Sequence, residues 1–245
     1  MISRIRVGFA LSSAILEGQE VLDAGDCADG GTVVDSPERT GPSWESTEGV
    51  STLRRLLKTL FGCLFNPTGF FRQMRRSDGY LSPLVYGMIL GSLSTIVPIG
   101  WNFLLVSFGD AVLDSSAAPQ MFTPSPELYG VMAILSPILV TIVAFIWSGI
   151  VHVLLLIFGG ASHGFQTSFR VVCYSRSAGI WHIVPVFGPL IGSIWYLVLL
   201  VIGLAETQET SLGRALAAVL VPLVAWIAVI VFLAVVFVLG SSSLL

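Results

Sequence analysis

The sequence predicts an all-α fold: an integral membrane bundle of five transmembrane helices preceded by an interfacial amphipathic helix. Composition is the first reason. Of the 245 residues, 54% are hydrophobic and only 11% are charged, with a mean hydropathy of +0.87, whereas soluble domains carry roughly 25% charged residues. The second reason is that the charges are segregated. Glu17 to Glu48 holds nine acidic residues against Arg39 alone, residues 51–78 hold six Lys/Arg against one Asp, and from Gly79 onward there are three Arg and no Lys. The third is a series of long uncharged runs, each with enough apolar residues to cross a bilayer, for which roughly 20 suffice.

In chain order, Met1 to Leu16 has Arg4 and Arg6 ahead of a short apolar run, but no small-x-small cleavage site follows. An over-extended start or a frayed tail is expected rather than a signal peptide. Residues 1–50 are read as a disordered acidic tail, because Glu17 to Gly49 has few apolar groups to offset the entropy of ordering.

Residues 51–78 change character. Leu53, Leu56, Leu57, Leu60, Phe61 and Leu64 recur at helical spacing along one face, with Ser51 as N-cap and Arg54, Arg55 and Lys58 on the other side. Such a helix ahead of a membrane span is expected to lie in the interface. Asn66-Pro67 ends it, and Phe70-Phe71 with Arg72, Arg75 and Arg76 starts a second interfacial piece. These six cations are the expected lipid contacts, each attracted to anionic headgroups by about 1 kcal/mol.

Residues 79–240 are the bundle. The first span is read over Gly79 to Gly109, with Gly87 and Gly91 suited to close helix approach and a kink at Pro98. A polar loop without Lys or Arg, Asp110 to Glu127, leads to a second span over Leu128 to Phe158. The uncharged run Ala178 to Ala205 is 28 residues long and contains Pro185, Gly188 and Pro189. Proline inside a helix costs about 3 kcal/mol, so the region divides into a helix from about Phe165 to Val184, a tight turn, and a helix to Ala205. Ala215 to Leu239 is the last span. The bias of Lys and Arg sets orientation: with five spans the N-terminus is cytosolic and the C-terminus is outside.

The residues NPTGFFRQM (66–74), IFGG (157–160), FQTSFRVVCYS (165–175), VPVFGPLIGSIW (184–195) and VIGLAETQETSLGRALAAVLVP (201–222) occur in an order and spacing that resembles the Yip1 domain, in its prokaryotic-type branch. The resemblance runs from about Phe65 to Pro222. It implies five transmembrane helices and a cytosolic N-terminus, and in eukaryotic relatives a role in membrane traffic through contact with prenylated small GTPases. That role carries over poorly. The Asp-Leu-x-Gly-Pro signature has no counterpart, the family's Gly-Tyr pair is Cys173-Tyr174, and Gln208 stands where many relatives have His.

The sequence carries no phosphate-binding loop, no HExxH and no GxSxG. Cys27, Cys63 and Cys173 lack the spacing of a disulfide framework or zinc site, and His152, His163 and His182 lack ligand spacing. Neither enzyme activity, a metal nor a cofactor is expected. The candidate functional cluster is His152, Arg170, Tyr174, Arg176 and Glu206, placed by the five-span reading in the cytosolic half of the bundle, with Arg176 either paired to Glu206 or snorkelling to headgroups.

The expected partners are the bilayer of the inner (cytoplasmic) membrane, other membrane proteins or further copies of this chain; nucleic acid is not among them. The leading function is a non-enzymatic adaptor or membrane organiser. The alternative is a small transporter or channel subunit with a solute site at the helix break around Pro185 to Pro189.

Overall fold

The structure is a computed structural model, and it describes residues 39–46, 49, 51–76, 79–112 and 126–242. The expectations for residues 1–38, and the loop at 113–125, lie outside the described residues. Those described are helical where they are regular. The order is α1 (Thr52–Phe65), α2 (Pro67–Gln73), α3 (Leu81–Val112), α4 (Pro126–Ile157), α5 (Gly164–Ser175), a 3-10 segment (Arg176–Ile183), α6 (Gly188–Thr207) and α7 (Leu212–Ser242).

Four stretches have the length and apolarity to cross a membrane: Leu81–Leu104, Glu127–Ile157, Gly188–Thr207 and Leu212–Phe237. The expected fifth, from Phe165 to Val184, is not of their kind. It is a 12-residue α-helix continued by an 8-residue 3-10 segment. Its sequence is too polar to face lipid, and it does not: every residue from Thr167 to Ser175 is buried. This element is the axis of the bundle, with α3, α4 and α6 packed around it.

Small residues let the neighbours approach it. A Cβ on Gly87 would lie 3.1 Å from the Cα of Cys173 in α5, and one on Gly91 would lie 2.5 Å from Val140 in α4. The pair expected to permit close helix contact thus serves two different partners. Beyond the 3-10 segment the chain turns at residues 184–187, where Val186 adopts φ 65° and Pro189 opens α6 at one of its first two positions. The expected turn is therefore where the prolines placed it. Pro98, Pro137 and Pro222 are carried inside α3, α4 and α7.

At one end of the bundle α1 and α2 are joined through Asn66, whose side chain accepts from Gly69 N at 3.2 Å, with Pro67 opening α2. The apolar positions of α1 divide into two files. Leu60, Cys63 and Leu64 are buried against the bundle, whereas Leu53, Leu57, Phe61 and Phe65 are exposed. The expectation of one apolar face is therefore corrected to two.

The boundary of the tail at residue 50 is also corrected. Residues 39–46 are fastened to the bundle. Gly41 N donates to Gln73 O at 3.0 Å. Trp44 N donates to Thr59 Oγ1 and Trp44 Nε1 to Ser82 O, both at 2.9 Å. The physical reason is Trp44, whose ring packs edge-on against Tyr86 at 5.9 Å and supplies burial that the surrounding acidic residues lack.

Candidate functional site

Arg170 lies on the axial helix with no solvent exposure. An isolated buried guanidinium costs several kcal/mol, so its surroundings have to supply an anion. They do, from an unexpected place: Glu45, in the strap ahead of α1, pairs with Arg170, and Tyr174 Oη donates to the same carboxylate oxygen. Arg170 Nη1 also donates to Gly79 O at 3.2 Å. Glu45 is itself only 6% exposed.

Aromatic rings seal this centre. Tyr174 lies 5.0 Å from Tyr86 and 5.6 Å from Phe70 between ring centroids. Ser177 Oγ donates to Tyr174 O at 2.7 Å; its one proton is then engaged, so Tyr86 Oη is the donor in the 2.7 Å contact between Tyr86 and Ser177. The strap, α2, α3 and the axial helix are thereby tied at one point.

A second polar knot lies one turn away. Gln208 Nε2 donates to Ser168 Oγ at 2.9 Å and to Gly164 O at 3.0 Å, while its Oε1 accepts from His163 N at 2.7 Å. His152 Nδ1 meets the same Ser168 Oγ at 3.0 Å. Fully buried, Gln208 thus holds the α4–α5 loop to the end of α6.

The five candidate residues do not form one cluster. Arg170 and Tyr174 are brought together by Glu45, and His152 belongs to the Gln208 knot. Glu206 pairs instead with Arg72, at 3.0 Å and 3.1 Å through two nitrogens. The expected Arg176–Glu206 pair is therefore not formed: Glu206 points outward to α2, and Arg176 points inward, its guanidinium 5.4 Å above the Tyr196 ring. Helical spacing did not give the direction in which each residue faces.

The expected lipid contacts divide as well. Arg54 and Lys58 are exposed. Arg55 is half-buried and donates to Ser46 O. Arg75 Nε donates to Arg39 O at 3.4 Å. Arg72 is held by Glu206, and Arg76 by Glu209. These last two are held in ion pairs by acids at the C-terminal end of α6, which the expectation of a lipid contact did not include. Glu209 also meets Arg39 at 3.4 Å and His163 at 3.7 Å. The Arg76 hydrogen bond holds the Glu209 carboxyl below its ordinary range against the opposing effect of burial, with the charges of Arg76, His163 and Arg39 adding to the shift.

Sequence reasoning missed Glu45, Gln208 as a knot, and Glu209. Trp44 was the available signal: a large aromatic in an otherwise apolar-poor stretch marks a place where the chain docks.

A polar axial helix jacketed by long apolar helices, with ion pairs gathered at one end, defines a multi-pass membrane protein. The family model of the Yip1 domain matches residues 61–239, and the chain belongs to that family. No match is found among curated proteins or among solved structures.

Proposed function

We propose that this chain is a non-enzymatic adaptor or membrane organiser of the inner membrane, a five-pass bundle whose α1–α2 platform faces the cytosol. The observation that carries this reading is the outer file of α1. Leu53, Leu57, Phe61 and Phe65 recur every fourth residue and are exposed, Phe65 at 72%, with Arg54 and Lys58 exposed beside them. Apolar groups of that size flanked by cations suit the boundary between acyl chains and anionic headgroups. The inner file anchors the same helix to the bundle, so the platform is held at a fixed place relative to the spans.

Length supports the fifth crossing. Twelve α-helical and eight 3-10 residues rise about 34 Å together, against a hydrocarbon core of about 30 Å. Shielding by α3, α4 and α6 removes the objection that the segment is polar. In that topology the C-terminus lies opposite α1.

A reporter active only in the cytosol, fused after Leu245, is expected to be silent; activity there would sink the five-pass arrangement. Chemical cross-linking in native membranes followed by affinity isolation is expected to recover a discrete protein complex that depends on Phe61 and Phe65. Solute uptake by the purified protein in liposomes, with no such complex, would replace the adaptor reading by a transport one.

A further inference from the structure

A cavity of about 360 Å³ opens between α3, α4, the 3-10 segment, α6 and α7. Its lining shares no residue with the Glu45 centre. Trp147 stands ten residues before the end of α4, Tyr196 eleven before the end of α6, and Leu223 eleven after the start of α7. At 1.5 Å per residue these are about 15 to 17 Å from that end of the bundle, half the depth of a roughly 30 Å hydrocarbon core.

The lining is rich in donors and lacks acids. Arg176, Trp147, Tyr196 and His182 face it, with Ser94 and Leu223 among the rest. Among the described residues Arg176 has no carboxylate partner, and its Nε is buried without a hydrogen bond; Trp147 Nε1 and Tyr196 Oη are in the same condition. The lining serines do not relieve them: none of the three donors has a hydrogen-bond partner, while Ser94 Oγ donates to Gly91 O at 2.8 Å and Ser193 Oγ to Pro189 O at 2.7 Å. His182 Nδ1 meets Gly179 O at 3.0 Å; a carbonyl only accepts, so Nδ1 carries the proton. Buried polar groups are nearly always satisfied, and three orphaned donors of one sign around one cavity require an account. A cation at this depth ordinarily has a counter-ion.

We propose that this cavity binds the oxyanion headgroup of an acidic amphiphile, a carboxylate or phosphate ester carrying an apolar chain. The guanidinium supplies the charge, and Trp147 Nε1–H and Tyr196 Oη–H supply hydrogen bonds to the same oxygens. Ser193, on the rim of the cavity, is exposed, so the chain can leave between helices. It then lies along the exposed apolar surface of α6 and α7, which includes Ile194 and Leu220. A free inorganic anion would gain the first set of contacts and none of the second.

The test uses the full chain in a neutral maltoside detergent, titrated separately with oleate, lysophosphatidate, zwitterionic lysophosphatidylcholine, acetate and inorganic phosphate. Thermal unfolding is expected to rise with oleate or lysophosphatidate and not with the other three. The relative response to oleate and lysophosphatidate identifies which oxyanion is preferred. In a second measurement, a fatty acid brominated along its chain is expected to quench tryptophan fluorescence saturably. Trp147→Phe and Tyr196→Phe are each expected to weaken the apparent Kd of that quenching about tenfold, one missing hydrogen bond to a charged group. Arg176→Gln is expected to abolish both responses; should that variant not fold, Tyr196→Phe decides alone. Equal stabilisation by acetate or inorganic phosphate would overturn the amphiphile, and responses unchanged in the variants would overturn the site.

Discussion

Arg170 and Arg176 stand six residues apart on one continuous helical rod, yet their environments are opposite. Arg170 is sealed from solvent and paired, its terminal nitrogens donating to Glu45 and Gly79 O while Tyr174 Oη donates to the same carboxylate. Arg176 has an aromatic face beneath it and an open cavity ahead. The two show how one residue type serves different ends at different places in a bundle. The first is a structural centre that fastens the strap to the spans, and the second is left with unused binding capacity.

The sharpest way to break this contrast is to remove Glu45. Glu45→Ala strands a buried guanidinium and is expected to lower stability by about 3–5 kcal/mol, seen as a fall in thermal unfolding temperature in detergent and as new protease cuts in the strap. The double variant Glu45→Leu with Arg170→Met is expected to recover most of that loss, because no charge is then left unpaired. A single variant that melts like the parent would show that the strap is dispensable.

A smaller effect is expected at the Gln208 knot. Gln208→Ala leaves His163 N and Gly164 O without that side chain and Ser168 Oγ with His152 Nδ1 only, a loss of about 1–3 kcal/mol. Amide hydrogen exchange is expected to accelerate locally in the α4–α5 loop and at the start of α5, with the strap unaffected.

Arg176→Gln sharpens the comparison from the other side. With no anion to strand, it is expected to change the stability of the ligand-free protein by under about 1 kcal/mol, although Arg176 shares helix and residue type with Arg170. A loss as large as that of Glu45→Ala would mean that Arg176 has a structural partner, and the distinction between the two arginines would fall.

The smallest expected effect is a pH dependence at the end of the bundle. Glu209 has its carboxyl held below the usual range chiefly by Arg76. A depressed carboxylate stabilises the folded state fully above its unfolded value near 4.3 and loses that contribution as pH falls through the folded value. Melting temperatures compared between neutral buffer and buffer more acidic than that unfolded value are expected to fall slightly more for the parent than for Glu209→Gln. High salt is expected to erase the difference, because Glu209 is exposed.

Much of this architecture was legible in the residues. Uncharged runs, the prolines at 185 and 189 and the two glycines at 87 and 91 each have a local physical meaning, and the helices follow them. What escaped was pairing. The 1.5 Å rise puts Glu206 and Arg176 in the same half of the bundle, but Glu206, near the end of α6, turns out to Arg72 and Arg176 turns in to the cavity, which depends on how α6 packs. Glu45 was hidden because low hydropathy predicts disorder on average, while one tryptophan and one buried counter-ion are enough to dock eight residues. The polar composition of α5 pointed to the interior, though not to the three helices that cover it.

The 3-10 winding that begins at Arg176 carries a consequence for shape. At three residues per turn, side chains three apart are eclipsed, so Arg176, Gly179 and His182 stand in a single file, and all three border the cavity. Rewound as an α-helix at 3.6 residues per turn, the same eight residues would shorten by about 4 Å and carry His182 about 120° out of that file. The chamber is thus a property of pitch as much as of composition, and a change of winding at this one place would erase its wall without altering a single side chain.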